Sequence, residues 1–299
     1  MALDDVLEAV PELGGEREVE PLAGGLTNTN YKVTTRGGCY VVRISGKDTG
    51  LLAIDRENEA HNTRCAAESG VGAPLVATVP EHDALVLAFL EGEVMNPEKL
   101  RKGDRIALVA DACRRLHAGP RFLHDFDMFE IQRGYVRVVQ ERGFRLPERY
   151  LEFEPQVRAL EQAMRVRSEE TVPCNNDLLA ENFIDVGGTM RLIDYEYSGN
   201  NEPSFELGNV WSESNLSPEQ LEELVAHYYG SPLRNKVARC RVWGLMSKYG
   251  WTLWGSIQAS VSEMDFDFWA WAMEKYDRAV AEFDGPEFER LLADVQRDD

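Results

Sequence analysis

Apolar and polar positions divide the chain into a strand-rich beginning and a helix-rich remainder. Short apolar runs, broken by glycine and turn residues, occupy residues 16–43 and 74–90, and they predict three strands followed by two more. Between the two groups, residues 55–69 have a helical composition that stops before two glycines. A unit of strands with one helix therefore opens the chain.

Helical patterns dominate after residue 92. Residues 104–117 place apolar side chains on one helix face, which predicts an amphipathic helix. A second helix is predicted over residues 155–168, and the composition is helical from residue 218 onward. Residues 121–150 are rich in Phe and Arg, and we expect them to be irregular and to wrap the surface.

Residues 172–197 carry the densest set of candidate catalytic groups. Two short apolar runs separated by Gly187-Gly188 predict a hairpin, and its second strand ends at Asp194. Asp177 and Asn182 stand five residues apart in the preceding loop, so the hairpin would bring all three side chains together. Such oxygen donors suit Mg²⁺ and leave one carboxylate to accept a proton. Kinase catalytic loops have this spacing, although Asp and Asn are also common turn formers.

Two features of the N-terminal part suit a bound phosphate. Residues 22–33 form a loop of small residues that enters a strand, and its glycines would let backbone N–H groups approach an anion. Such a loop alone, however, is more often an ordinary hairpin turn. Arg43 stands amid apolar neighbours and needs a partner, because buried cations are paired. We predict Glu59 as that partner, by analogy with kinases.

The region after residue 200 holds carboxylates and aromatic residues at helical spacing. Glu206 and Glu213 lie seven residues apart and share one helix face. Trp251 and Trp254 also face the same way, and four of the six tryptophans fall within residues 251–271. Aromatic residues at this spacing are usually core. Rings beside a carboxylate, however, also form the box that binds a quaternary ammonium.

Composition narrows the possible partners. The chain has 43% hydrophobic residues, as globular proteins do, and its net charge of −20 opposes nucleic-acid binding, which needs clustered Lys and Arg. The first residues are acidic rather than basic and apolar, and no apolar run approaches the length of a membrane span. Five scattered cysteines without a CxxC pair favour reduced thiols in a cytoplasmic protein. We therefore expect neither nucleic acid nor a membrane as partner.

Six segments together resemble the choline/ethanolamine kinase family, a branch of the aminoglycoside phosphotransferase and protein-kinase-like superfamily. In family order they are GGLTNTNYKV, VVRISG, IDRENEAHN, NNDLLAEN, LIDYEYSGNNEPSFELGN and WTLWGSIQASVSEMDFDF. The resemblance implies an α+β, protein-kinase-like bilobal fold. A small antiparallel-sheet N-lobe would span residues 1–92 and end in a nucleotide hinge, and a larger, mostly helical C-lobe would span residues 93–299.

The same resemblance implies the chemistry, with ATP and Mg²⁺ as cofactors and choline, a small cationic alcohol, as acceptor. Asp177 would be the catalytic base, and Arg43, where kinases usually have a lysine, would neutralise the γ-phosphate. Asn182 and Asp194 would hold the metal. The ATP-binding residues would be Gly24, Gly25, Thr27, Asn28, Asn30, Arg43 and Glu59. The acceptor-binding residues would be Asp177, Glu213, Trp251, Trp254 and Tyr197.

One departure from the family lies directly before the base. The family usually has His-Asn-Asp where this chain has Asn175-Asn176-Asp177. The resemblance implies that the histidine braces the loop rather than transferring the proton. Asparagine can donate and accept hydrogen bonds from a smaller volume, so we expect altered packing with retained activity.

Alternatives stay open at this point. Within the same class, the acceptor is ethanolamine, thiamine or another small amino alcohol, although the tryptophan pair favours a methylated ammonium. In a different class, the chain is a kinase-fold pseudokinase that binds ligand without turnover. Asn175 and the absence of the usual strand lysine motivate that alternative, whereas the intact Asp177, Asn182 and Asp194 oppose it. An RNA-binding or scaffold role is opposed by the charge, and no oligomeric state is predicted.

Overall fold

The computed structural model describes residues 2–46 and 49–298. The N-terminal lobe contains the strands β1 (Arg17–Leu22), β2 (Asn28–Thr35), β3 (Gly38–Ser45), β4 (Leu75–Val79) and β5 (Ala84–Ala88). They form one antiparallel sheet in the order β1-β2-β3-β5-β4. The strands predicted from the apolar runs are confirmed.

Two helices accompany this sheet, α1 (Ala2–Ala9) and α2 (Arg56–Glu68). Apolar side chains of α1 and of the sheet form a small core. Helix α2, which the sequence predicts over residues 55–69, begins after Asp55. The Asp55 carboxylate accepts a hydrogen bond from the backbone N–H of Asn58 at 3.0 Å, as a helix N-cap does. Glu59 follows one residue later and is buried, so α2 brings a carboxylate against the sheet.

The second lobe is mostly helical. Its helices are α3 (Pro97–Leu100), α4 (Arg105–His117), α5 (Met128–Arg142), α6 (Glu154–Val166), α7 (Pro203–Glu213), α8 (Pro218–Tyr229), α9 (Arg234–Val261), α10 (Phe268–Phe283) and α11 (Phe288–Asp294). Helix α9 is buried along most of its length and packs against α5, α7 and α10. Helix α7 crosses it closely at Gly208, where a Cβ would lie only 2.1 Å from the carbonyl oxygen of Cys240.

Short strands position the loops of this lobe. They are β6 (Glu93–Val94), β7 (Val172–Cys174), β8 (Phe183–Val186), β9 (Thr189–Leu192) and β10 (Gly199–Asn201). Strand β7 pairs with β10, and β6, β8 and β9 form a second small sheet. The predicted hairpin is confirmed, since β8 and β9 meet at Gly187-Gly188, which both have positive φ. The division of the chain at residue 92 stays a prediction.

The expectation for residues 121–150 is wrong, because half of this segment is helix α5. The helix begins after Asp127, which accepts a hydrogen bond from the backbone N–H of Phe129 at 2.8 Å, and ends at Gly143 with a φ of 64°. Its buried side chains are Met128, Phe129, Gln132, Tyr135 and Val139. Their spacing is helical, so this segment packs into the core instead of wrapping the surface.

Two further helices predicted from the sequence are confirmed. The predicted helices over residues 104–117 and 155–168 correspond to α4 and α6. In the part of the chain that the structure describes, no helix has the length and apolar character to cross a membrane. All five cysteines are free thiols. A cytoplasmic location stays a prediction.

Candidate active site

A cavity of about 570 Å³ lies between the sheet of the N-terminal lobe and the helices of the second lobe. Most of the predicted site residues line it: Gly24, Gly25, Thr27, Asn30, Arg43, Asp177, Asn182, Asp194, Tyr197, Glu213, Trp251 and Trp254. Two others lie behind its wall, where Asn28 contacts Glu196 and Glu59 contacts Arg43. The fold therefore brings the predicted residues together.

One end of the cavity is apolar. Its walls include Val41, Ala73, Ile184 and Ile193, together with residues 87–90. The last segment leads from β5 into the second lobe and corresponds to the hinge predicted from the sequence. An apolar lining of this kind suits an aromatic base.

The loop after β7 holds Asp177 at the cavity. The side-chain Nδ2 of Asn182 donates to the backbone carbonyl oxygen of Asp177 at 2.8 Å and so fixes the two residues relative to each other. Asn175 braces the loop from the other side. Its Oδ1 accepts from the backbone N–H of Asp177 at 3.1 Å, and its Nδ2 donates to the carbonyl oxygen of Asp194 at 2.7 Å. Asparagine thus makes the bracing contacts expected at this position.

A buried carboxylate on α7 supports the same loop. The two oxygens of Glu206 accept the backbone N–H groups of Asn175 at 2.6 Å and Asn176 at 3.0 Å. Asn176 has a φ of 67°, a left-handed conformation that needs such support. His117 ends α4 with its Nε2 3.7 Å from Glu206. Glu206 and Glu213 share α7, but Glu206 braces the loop and only Glu213 lines the cavity.

Two guanidinium groups and three carboxylates meet beside the cavity. A nitrogen of Arg43 lies 2.6 Å from Asp194 and 3.1 Å from Glu196, and its other terminal nitrogen lies 3.3 Å from Glu59. Arg56 pairs with Glu59 at 2.6 Å. Burial disfavours the charge on Arg43, but the three carboxylates outweigh that effect and raise its pKa. The predicted contact between Arg43 and Glu59 is present.

The glycine loop between β1 and β2 covers this cluster. Gly24 and Gly25 have φ values of 101° and 88°, which only glycine adopts without strain. The loop also reaches the second lobe, because Nε2 of Gln258 on α9 donates to the carbonyl oxygen of Leu26 at 3.1 Å. The backbone of this loop therefore lies against the cavity, as binding of a phosphate requires.

Glu196 is a site residue that the sequence analysis missed. Its carboxylate accepts hydrogen bonds from Oγ1 of Thr27 at 2.6 Å and from Nδ2 of Asn28 at 2.9 Å. Burial raises the pKa of Glu196, as does the nearby Asp194, whereas Arg43 lowers it. The available signal was its position two residues after Asp194, which keeps its carboxylate close to a candidate metal ligand.

The oxygen donors beside Asp177 suit a hard divalent cation. Asn182 commits its Nδ2 to the backbone of Asp177, which leaves its Oδ1 available. Asp194 and Glu196 add carboxylates, and all three residues line the cavity. Mg²⁺ prefers oxygen ligands of this kind, so the residues present fit this metal.

The electrostatics of Asp177 suit a proton acceptor. Desolvation raises its pKa well above the ordinary value, and the carboxylates of Asp194, Glu196 and Glu213 add to the rise. The ammonium of Lys275 opposes it. A carboxylate with a raised pKa takes up a proton more readily than an ordinary one, as a general base must.

The other end of the cavity is aromatic. Nε1 of Trp254 donates to the hydroxyl of Tyr197 at 2.7 Å, and the Tyr197 ring meets Trp251 edge-on, with centroids 4.9 Å apart. The ring centroid of Trp271 on α10 lies 5.2 Å from that of Trp254. Trp251 and Trp254 are almost fully buried and also line the cavity. They therefore belong to the core and to the site at once.

Glu213 already has a cationic partner, which the sequence analysis missed. Its Oε2 accepts from Nζ of Lys275 at 2.5 Å, and both side chains are only 4% exposed. The same ammonium lies 4.4 Å from the ring centroid of Trp271. The i, i+4 spacing of Trp271 and Lys275 on α10 predicts the contact between these two residues but not the pairing of Lys275 with Glu213. Both residues line the cavity.

Several known proteins are similar to this chain in sequence. The model of the choline/ethanolamine kinase family matches residues 19–229. Ethanolamine kinase 2 from Rattus norvegicus is 27% identical over 276 residues, which cover 80% of this chain and 69% of that protein. Protein LicA from Haemophilus influenzae is 24% identical over 274 residues, which cover 86% of this chain and 77% of that protein.

Solved structures share the fold. A choline/ethanolamine kinase family protein from Mesorhizobium loti superposes with a TM-score of 0.86 at 33% identity, over 99% of both chains. The choline kinase LicA from Streptococcus pneumoniae superposes with a TM-score of 0.79 over 97% of this chain and 98% of that one, and its 24% identity supports the fold alone. The predicted α+β, kinase-like bilobal fold is confirmed.

Proposed function

This chain belongs to the choline/ethanolamine kinase family, and we propose that it is an ATP-dependent kinase that phosphorylates the hydroxyl group of choline. The family match extends over residues 19–229 and confirms the resemblance predicted from the sequence. The protein is a phosphotransferase with an alcohol group as acceptor. Choline as that alcohol, Mg²⁺ as the metal and the roles of single residues are the finer parts of the proposal.

The aromatic end of the cavity is the observation that supports choline as the acceptor. Trp251 and Trp254 present ring surface to the same cavity as Asp177, and Glu213 adds negative charge. A trimethylammonium group makes no N–H hydrogen bonds, so aromatic faces and a nearby carboxylate satisfy it. With that group held among the rings, the hydroxyl at the other end of choline is directed towards Asp177.

The chain's own residues then have distinct tasks. Asp177 accepts a hydrogen bond from the acceptor hydroxyl, orients its oxygen and takes its proton during transfer. Asn182, Asp194 and Glu196 would hold Mg²⁺, and Arg43 stabilises negative charge on the phosphate groups. Magnesium-bound ATP, when present, supplies the transferred phosphoryl group. The loop at Gly24-Gly25 covers the phosphates and excludes water.

Ethanolamine is the second candidate, and one observation favours it. Within the described residues, Oε1 of Glu213 and Nε1 of Trp251 are buried without a hydrogen-bond partner. An ammonium with N–H groups would donate to the Glu213 oxygen, whereas a trimethylammonium cannot. Ethanolamine kinases also occur among the similar proteins. The non-catalytic alternative, a pseudokinase, is set aside because the protein is a phosphotransferase.

Initial rates of ADP formation test the proposal. With saturating ATP and Mg²⁺, choline, ethanolamine, thiamine and an aminoglycoside are compared as acceptors. We expect choline to have the highest kcat/KM, about tenfold or more above ethanolamine, because aromatic faces satisfy a trimethylammonium but leave N–H groups of a primary ammonium without acceptors. A higher kcat/KM with ethanolamine would show that ethanolamine, and not choline, is the preferred acceptor. Turnover with none of the amino alcohols would refute the proposed acceptor class.

A further inference from the structure

Lys275 places a positive charge inside the acceptor end of the cavity. Its ammonium lies 2.5 Å from Glu213 and 4.4 Å from the ring centroid of Trp271. An ion pair with Glu213 and a contact with an aromatic face are the interactions proposed for the cationic head of the acceptor. In this structure, the chain itself supplies that cation.

We propose that Lys275 is a specificity-determining residue whose ammonium competes with the acceptor's cationic group for Glu213 and the aromatic surface. The inference rests on the proposed function, since it concerns the cation that this site takes. It predicts that Lys275 weakens the binding of cationic acceptors and leaves neutral alcohols of the same shape unaffected.

The state of Glu213 explains why a resident cation is needed. Its side chain is 4% exposed, and a buried carboxylate without a counter-ion is costly. Lys275 satisfies Oε2, whereas Oε1 has no hydrogen-bond partner among the described residues. An incoming ammonium can therefore share Glu213 with Lys275 or displace it. Like charges repel in the first case, and an existing ion pair breaks in the second, so both routes reduce affinity.

The test is the substitution Lys275→Met, which keeps the length and apolar stem of the side chain and removes its charge. Calorimetry measures the Kd of the intact variant and parent for choline and for its neutral isostere, in which carbon replaces nitrogen. We expect the Kd for choline to fall about tenfold, with the Kd of the isostere unchanged. An unchanged or higher Kd for choline overturns the proposal, as does an equal fall for both ligands.

Lys248 provides a matched control. It is also a buried lysine, it pairs with Glu282, and its ammonium lies 4.8 Å from the Trp211 ring centroid. Unlike Lys275, it does not line the cavity. Lys248→Met should lower the thermal midpoint without changing the Kd for choline. If both substitutions change choline binding equally, general loosening of the helices explains the effect and the proposal fails.

A second comparison applies if Lys275→Met folds poorly because Glu213 is left unpaired. The variant Glu213→Gln is compared with the double variant Glu213→Gln, Lys275→Met, which leaves no unpaired buried charge at this pair. The double variant should bind choline more tightly than the single one, because the repelling ammonium is gone. Equal or weaker binding refutes the proposal.

Failure of this inference is distinguishable from failure of the proposed function. If the parent protein phosphorylates choline and the Lys275→Met variant has an unchanged Kd for choline, the proposed role of Lys275 is refuted. The proposed kinase function is then unaffected. A parent protein that neither binds nor phosphorylates any small cationic alcohol removes the proposed acceptor class, and the role of Lys275 with it.

Discussion

Glu206→Gln tests whether a carboxylate outside the cavity sets the position of the catalytic loop. Glu206 is fully buried, and it accepts the backbone N–H groups of Asn175 at 2.6 Å and Asn176 at 3.0 Å. Glutamine keeps the shape but turns one of the two oxygens into an NH₂ donor. One backbone N–H then faces another donor, and the remaining hydrogen bond loses its charge.

The expected magnitude follows from these two contacts. A hydrogen bond to a charged group contributes about 1.5–3 kcal/mol, so losing one and weakening the other should lower the free energy of unfolding by about 3 kcal/mol. Asp177 follows Asn176 directly, and a misplacement of about 1 Å can cost about 10²-fold in rate. We therefore expect kcat to fall about 10- to 100-fold, with a smaller change in KM for either substrate.

Urea unfolding and steady-state kinetics measure the two effects. Glu213→Gln is the matched control, because it makes the same chemical change on the same helix at a residue that does not contact the loop. Among the kinetic constants it should change mainly the acceptor KM, and it should also lower the stability, because the buried Lys275 loses its partner. If Glu206→Gln keeps the stability and kcat of the parent, the loop does not depend on this carboxylate and the reasoning is wrong.

Three further substitutions address the cavity itself. Asp194→Asn should abolish transfer with little change in circular dichroism, because it removes one charge from the metal donors; parental turnover would exclude Asp194 as a ligand. Asp177→Ala should lower kcat by at least ~10²-fold with KM for ATP unchanged, whereas a loss confined to that KM would assign Asp177 another role. Trp254→Leu should raise KM for choline about tenfold. It should also lower the thermal midpoint, because its hydrogen bond to Tyr197 is lost; unchanged choline kinetics would rule Trp254 out of the acceptor site.

Residues whose neighbours lie close in the sequence were the most predictable part of the site. Asp177, Asn182 and Asp194 belong to one loop and hairpin, and their spacing together with the predicted hairpin indicates a common position. Arg43 was predictable because a cation in an apolar strand needs a partner. Its pairing with Glu59 required the kinase analogy, since nothing in a helical pattern distinguishes a buried glutamate from an exposed one.

Residues that act across helices were harder to predict. Lys275 meets Glu213 only because α10 packs beside the end of α7, and a sequence pattern carries no such distance. For Trp251 and Trp254, the sequence analysis treated a core position and a site position as alternatives. The two are compatible, because the cavity lies within the core and the residues of its walls belong to both. Helix α5 was missed although Asp127 and Gly143 mark its ends, because the surrounding segment is rich in Phe and Arg, a composition that does not distinguish a helix from a loop.

The hydrogen bonds between the glycine loop and the second lobe affect the relative rates of the steps in the catalytic cycle. Three consecutive residues, Leu26, Thr27 and Asn28, are hydrogen-bonded to Gln258 or Glu196 of the second lobe. Because these residues are neighbours, the loop cannot swing away from one contact without straining the others, and the three bonds must open together. A nucleotide held beneath the loop leaves only after that opening. We therefore expect product departure to be slow relative to phosphoryl transfer, so that release limits each catalytic cycle.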